Sequence, residues 1–164
     1  MKRMAILVLS LTVTLAACGG SGKQSAAEQQ LQRQADLYAI DQIEEEWHEA
    51  SSTHNINLMM TLWAPDATWN IGAQTLAGKT QIRNFFVHKV GPFQPQNHWV
   101  SETLAYKVRV TVNGHQGTLY FECHYVDVRT RKVVSVVSAD QNVQKIGGKW
   151  LIVSSAGATA TLRP

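Results

Sequence analysis

Few side chains of this 164-residue chain are of a type and spacing that could do chemistry. Glu122 and His124 stand two apart in a segment that alternates like a strand, so they share a face. They form a candidate acid–base pair, because an imidazole titrates close to neutrality. The opposite face of that segment (Leu119, Phe121, Cys123, Tyr125) is more apolar, and the simplest assignment points Glu122 and His124 outward, to solvent or to a subunit interface. Cys123 reads as a small buried hydrophobe, since a nucleophilic thiol needs a setting that stabilises its thiolate. Asp140 shares a face with Val136, Ser138 and Asn142 on an otherwise Val-rich segment. Burying a lone carboxylate is costly. Asp140 is therefore either a pocket acid or ligand anchor, or an acid near the exposed end of its strand, paired with Lys145 or Arg109. His98, just before Trp99, is a candidate donor to a ligand or an ordinary loop histidine. The histidines lack the patterned spacing of metal ligands, so neither a metal nor any other cofactor is expected.

The elements that would position these residues begin only after the N-terminus. Lys2 and Arg3 precede an uncharged, mostly apolar stretch, Ala5 to Ala17, that is too short to span a bilayer, for which about 20 residues are needed. A basic start followed by a short apolar region reads as a secretory signal. It ends Leu15-Ala16-Ala17-Cys18-Gly19, which resembles the lipobox of bacterial lipoproteins. That resemblance implies cleavage before Cys18, lipid on its thiol, and a place in the bacterial cell envelope. Gly19, where an Asp would imply inner-membrane retention, leans the expectation to the outer membrane, facing the periplasm. With Cys18 lipidated, Cys123 has no cysteine left to pair with.

The remaining chain divides into residues 18–35, a lipidated cysteine and flexible tether, and residues 36–164, one domain. Loss of Lys2 and Arg3 lowers the formal charge from +3 to +1. Residues 28–66 carry eight acids against Arg33 alone, and residues 79–164 carry eleven bases against four acids. Such segregation fits either an anion-binding surface or an acidic helix beside a basic sheet. No basic stripe with stacking aromatics points to nucleic acid.

Leu37, Ile40, Ile43, Trp47 and Ala50 recur at helical steps, with Glu44, Glu45, Glu46 and Glu49 mostly on the other face. Residues 26–36, rich in Gln and Ala, read as a frayed start of this helix or as tether. A short helix over 57–63 follows, capped by Asn55 or Asn57, then a strand over 67–71 with a hairpin return, and a third helix from Thr80 through Val90. Beyond Pro92 the period becomes two, with strands over 104–112, 118–127, 133–145 and 150–155 and turns at Asn113-Gly114 and Gly147-Gly148. Helices first and strands after predict an α+β fold, a curved antiparallel sheet wrapped over about three helices. Apolar residues on both faces at Val133, Val134, Val136 and Val137 predict a covered second face, hence a homodimer.

The order of elements, with Trp47-x-x-Ala50, Leu58-x-x-x-Leu62-Trp63-Ala64-Pro65-Asp66-Ala67, Leu76-Ala77-Gly78-Lys79-Thr80-x-Ile82 and Gly147-Gly148-Lys149-Trp150, resembles the SnoaL-like branch of the nuclear transport factor 2-like superfamily. The resemblance spans about residues 37–155. It implies a cone-shaped, cystatin-like fold with a pocket at its wide end, lined here by Trp47, Trp69, Asn70, His98, Trp99 and Asn142. Relatives include isomerases, dehydratases, cyclases, ligand binders and protein-binding modules, so function must come from the site. Enzymes of this kind use a pocket carboxylate whose pKa burial raises. The position that carries the isomerase base falls here at Asn70-Ile71, and neither residue can take a proton. Asp140 falls where the superfamily has a second acid. The reading is an envelope lipoprotein that holds a small, mainly apolar molecule. One alternative is an isomerase- or dehydratase-like enzyme using Asp140 or the Glu122–His124 pair, and another is a protein-interaction module at the envelope.

The lipobox gives the first prediction. In a bacterial host the wild-type chain should fractionate with membranes, whereas Cys18→Ser should appear in the soluble fraction or as an unprocessed precursor. Wild-type protein free of membranes, without acyl mass on Cys18, would contradict it.

Overall fold

The computed structural model describes residues 24–101 and 105–161. The expected signal peptide, residues 18–23 of the expected lipidated tether and the strand start at Leu104 lie outside them. Helix α1 (Ala26–Ser52) begins at a capping box: the Ser25 hydroxyl accepts from Glu28 N, and the Glu28 carboxylate accepts from Ser25 N. Ala26 through Asp36 therefore extend the helix rather than the tether. Its buried face carries Ile40, Ile43, Trp47 and Ala50, but also Asp36, Glu44, His48 and Ser51. Glu44 thus departs from its expected place on the solvent face. It lies one turn from both Ile40 and His48, on the edge of a stripe wide enough to include it.

Helix α2 (Ile56–Thr61) is capped by Asn55, whose side chain accepts from Leu58 N. Strand β1 (Trp63–Ile71) and β2 (Gln74–Ala77) form a hairpin. Helix α3 (Lys79–Lys89) starts one residue earlier than Thr80 and is followed by a single 3₁₀ turn over Gly91–Phe93. Strands β3 (Trp99–Ser101), β4 (Lys107–Asn113), β5 (Gln116–Asp127), β6 (Lys132–Ile146) and β7 (Lys149–Thr161) complete the fold. Strand β7 runs six residues past the expected end at Ser155.

The seven strands form one open curved sheet in the order β2-β1-β7-β6-β5-β3, with β4 pairing the other end of β5. The sheet is mixed rather than antiparallel throughout, because β1 pairs with β7 in parallel. Register shifts between Trp63 and Thr68, Tyr125 and Val126, and Asn142 and Val143 bend the strands. The inner face packs on α1 and α3. Its core includes Leu119, Phe121 and Cys123 of β5, Val143 of β6 and Ile152 of β7. At Gly117 of β5 a Cβ would stand 2.9 Å from Ile40 Cδ1 of α1 and 2.6 Å from the Thr111 carbonyl oxygen. A side chain there would push helix and sheet apart.

The end of α1 nearest its start is tied to the sheet by one carboxylate. Asp36 accepts from Lys145 Nζ at 2.7 Å, Trp150 Nε1 at 2.9 Å and Gln32 Nε2 at 3.1 Å. Burial pushes its pKa up, but the bonds from Lys145, Trp150 and Gln32 and the charge of Lys145 outweigh that, and it lies below the ordinary 3.8. A lowered folded-state pKa stabilises the fold above the ordinary value, and that stability is lost as pH falls through the folded value. Asp36→Ala should therefore cost about 2 kcal/mol in urea unfolding at pH 7, the worth of hydrogen bonds to a charged group. The gap to wild type should shrink as pH falls below 3.8. A gap independent of pH would show that Asp36 does not act through its charge.

Candidate functional site

A cavity of about 580 Å³ opens between the inner face of the sheet and the helices. One wall is aromatic: Trp47 of α1, Trp69 of β1, Phe85 and Phe86 of α3, and Trp99 of β3. The Trp69 ring centroid lies 5.0 Å from that of Phe86 and 5.4 Å from that of Phe85. The other wall is the concave face of β6 and β7. The β5 alternation fixes which β6 residues face inward, since Phe121 pairs with Ala139, Cys123 with Val137 and Tyr125 with Ser135. The β6–β7 register carries this on, placing Gly157 beside Ala139 and Ser155 beside Gln141. The small residues Ser135, Ala139, Ser155 and Gly157 are why a space remains opposite the rings. Trp99 reaches its place because Gly91 has no side chain: a Cβ there would stand 2.0 Å from the indole.

The cavity holds little ionisable chemistry. Among the described residues no carboxylate or histidine lines it, and Lys89 is the one charged side chain that does. The Tyr125 hydroxyl is fully enclosed and lies 3.2 Å from Ser51 Oγ. Burial pushes its phenol well above the ordinary 10, and the hydrogen bond with Ser51 only partly offsets this, so it stays neutral. Ser135 Oγ, on a residue 1% exposed, has no hydrogen-bond partner among the described residues. It is a ready contact for a polar atom of a bound molecule.

Of the residues expected to form the site, Trp47, Trp69 and Trp99 line the cavity, and the others do not. Asp140 is exposed on the outer face, opposite Tyr120 and Ala156. Asn142 lies on the same face and donates to Ser154 Oγ at 2.8 Å. Asn70 is exposed and accepts from Thr75 Oγ1 at 2.8 Å. All three fall on the outward parity of their strands, which corrects the expectation that they face the pocket. His98 is half-buried beside the cavity, and its carbonyl accepts from Val128 N. Its ring is not part of the lining.

Glu122 and His124 share the outer face, on the side expected of them. Glu122 accepts from Lys107 Nζ at 2.8 Å and from the Tyr120 hydroxyl. These bonds, that from Lys107 first, hold its carboxyl at about 2. Such a carboxylate is a poor base at neutral pH. The His124 ring stacks on Tyr106 at 4.7 Å. Outside the cavity, a buried polar cluster escaped the sequence reading. His48 Nε2 lies 3.0 Å from Glu44 Oε1, and its Nδ1 lies 3.1 Å from Ser101 Oγ. Ser52 Oγ accepts from Ser101 N at 2.9 Å, and Glu44 accepts from Ala105 N at 3.2 Å. Burial raises the Glu44 pKa, the Ala105 amide lowers it, and Asp41 and Glu45 add to the rise. Each of Glu44, His48 and Ser101 is 4% exposed, so the cluster fastens α1 to β3 beyond reach of a substrate.

Tyr125, Ser135, Phe85, Lys89 and Gly91 are further cavity residues that the sequence reading did not assign. The inward parity of Leu119, Phe121 and Cys123 already implied Tyr125, since it continues that set. Nothing local marked Ser135.

The SnoaL-like domain family matches residues 45–146, and the chain belongs to that family. Among solved structures, it is similar to an NTF2-like protein of unknown function from Pseudomonas putida KT2440, at 17% identity and a TM-score of 0.66, covering 80% of this chain and 98% of that one. An NTF2-like protein with a cystatin-like fold from Novosphingobium aromaticivorans gives 15% identity and a TM-score of 0.69, covering 85% and 91%. A hexachlorocyclohexane dehydrochlorinase from Novosphingobium barchaimii LL02 gives 16% and 0.65, covering 82% and 93%. At these identities the likeness is one of fold. No curated protein matches the sequence significantly.

The Gly91–Trp99 contact yields a prediction. Gly91→Ala must displace the indole, as overpacking typically costs about 1–3 kcal/mol. The variant should unfold at lower urea and show altered tryptophan emission from the cavity wall. Unchanged stability and emission would mean that Trp99 is not seated on Gly91.

Proposed function

We propose that this protein is a bacterial envelope lipoprotein whose SnoaL-like domain binds a small, mainly apolar molecule in the aromatic cavity. The observation that carries the reading is the cavity's lining: the rings of Trp47, Trp69, Phe85, Phe86 and Trp99, small polar contacts at Tyr125 and Ser135, and, among the described residues, no carboxylate or histidine. A volume of about 580 Å³ suits a ligand of drug-like size, for which sites run about 300–1,000 Å³. Isomerase or dehydratase chemistry of the kind considered above needs a base at the substrate, and Asp140 and Glu122 face the other way. The similar dehydrochlorinase is named for hexachlorocyclohexane, itself a small apolar molecule, which fits a cavity of this character. The envelope address rests on the lipobox.

A homodimer through the outer face of the sheet belongs to the same proposal. Val136 and Ala160, paired across β6 and β7, present apolar side chains there, on a surface flanked by the charged Lys107–Glu122 pair.

Native mass spectrometry of the full chain released from detergent tests both parts. A non-covalent adduct that is lost on denaturation, on a species of twice the chain mass, is the expected result. Acyl mass on Cys18 would persist on denaturation and is thereby distinguished. A monomer without adduct, showing no saturable uptake of small apolar compounds, would contradict the proposal.

A further inference from the structure

Among the described residues, Lys89 is the one charged side chain lining the cavity. It is the last residue of α3, is exposed, and has no acidic partner among the described residues. Its polar neighbours on that wall are already committed. Gln94 Nε2 donates to the Val87 carbonyl at 2.9 Å, and Asn97 Nδ2 donates to the Gly91 carbonyl at 3.0 Å. Lys89 is therefore the charged donor left over beside a space lined by aromatic rings and neutral polar groups. A cavity with one cation at its wall selects by charge as well as by shape: an anion gains an ion pair, a neutral acceptor gains only a hydrogen bond, and a cation meets a like charge.

Resting on the binding reading above, we infer that the ligand is an organic monoacid, with a ring-bearing apolar body among Trp69, Phe85 and Trp99 and a single carboxylate paired with Lys89. The aromatic wall supplies most of the affinity by burial, and the ion pair supplies discrimination. Ser135 Oγ, buried and without a partner among the described residues, offers a second polar contact for a hydroxyl or carbonyl elsewhere on the acid.

The test uses three probes that share one naphthalene body: 1-naphthaleneacetate, the neutral 1-naphthaleneacetamide and the cationic 1-naphthylmethylamine. Each is titrated calorimetrically into the full chain in detergent, with a detergent blank. The acetate should bind about fivefold more tightly than the amide, the yield of a well-formed ion pair at a partly exposed site, and the amine should bind most weakly. Lys89→Gln, at an exposed helix end, should bring the acetate down to the level of the amide. Thr159→Trp, which places an indole into the cavity from its exposed rim, should abolish binding of both. A wild type that binds amide and acetate equally, or a preference that survives Lys89→Gln, would overturn the acid assignment and leave the binding reading standing. No saturable binding of any probe, or binding indifferent to Thr159→Trp, would overturn both.

Discussion

One indole holds the two layers of this fold together. Trp47 projects from α1, 4% exposed, and its ring meets Trp63 and Trp69 of β1, Phe86 of α3 and Phe121 of β5 at centroid separations of 5.4–6.5 Å. Aromatic pairs at such distances add to burial, and removing a buried tryptophan typically costs about 3–5 kcal/mol. The strands it joins are far apart in the chain: β1 enters the sheet beside β7, while Phe121 lies two strands further along. Trp47 therefore fixes how the sheet curves around the helix. It also forms part of the cavity wall, so the core and the binding space share a residue.

The cavity follows from an imbalance of side-chain size across that joint. Large rings come from the helices and β1, while β6 and β7 answer with serine, alanine and glycine on their inner faces. Interiors normally pack to crystal-like density, and a space of about 580 Å³ is far more than a packing defect. Charge is arranged in the opposite sense. The ionised carboxylate of Glu122, its Lys107 partner and Asp140 all lie on the convex side. The described lining of the cavity keeps neutral hydroxyls and amides and one lysine. Binding with selection by charge follows from this arrangement more directly than proton transfer does.

Much of the fold was legible in the sequence because its cues are local. The helical spacing of Ile40, Ile43 and Trp47 marked α1, and Gly147-Gly148, with φ of 58° and 83°, marked the last turn. Alternation in β5 assigned its two faces correctly. Alternation in β6 could not, since Val133, Val134, Val136 and Val137 are apolar at both parities; only pairing with β5 turns Asp140 and Asn142 outward. The parallel β1–β7 pairing has no turn to announce it. Glu44 looked like a surface residue, and nothing local singled out His48, because their partners, the Ala105 amide and Ser101, come from a distant strand and the chain beyond it. By contrast, Ser25-x-x-Glu28 was a readable start for α1 ahead of the Gln/Ala-rich stretch.

The central claim is that the aromatic cavity is where this protein meets its ligand. The most direct measurement is the set of five indole ¹⁵N–¹H resonances of tryptophan-labelled protein, followed during titration with 1-naphthaleneacetate. Trp47, Trp69 and Trp99 line the cavity, whereas Trp150 donates to Asp36 outside it. The account predicts that the resonances of Trp47, Trp69 and Trp99 shift together and saturably while that of Trp150 stays in place. A shift confined to Trp150, or no saturable shift at any cavity indole, would contradict it.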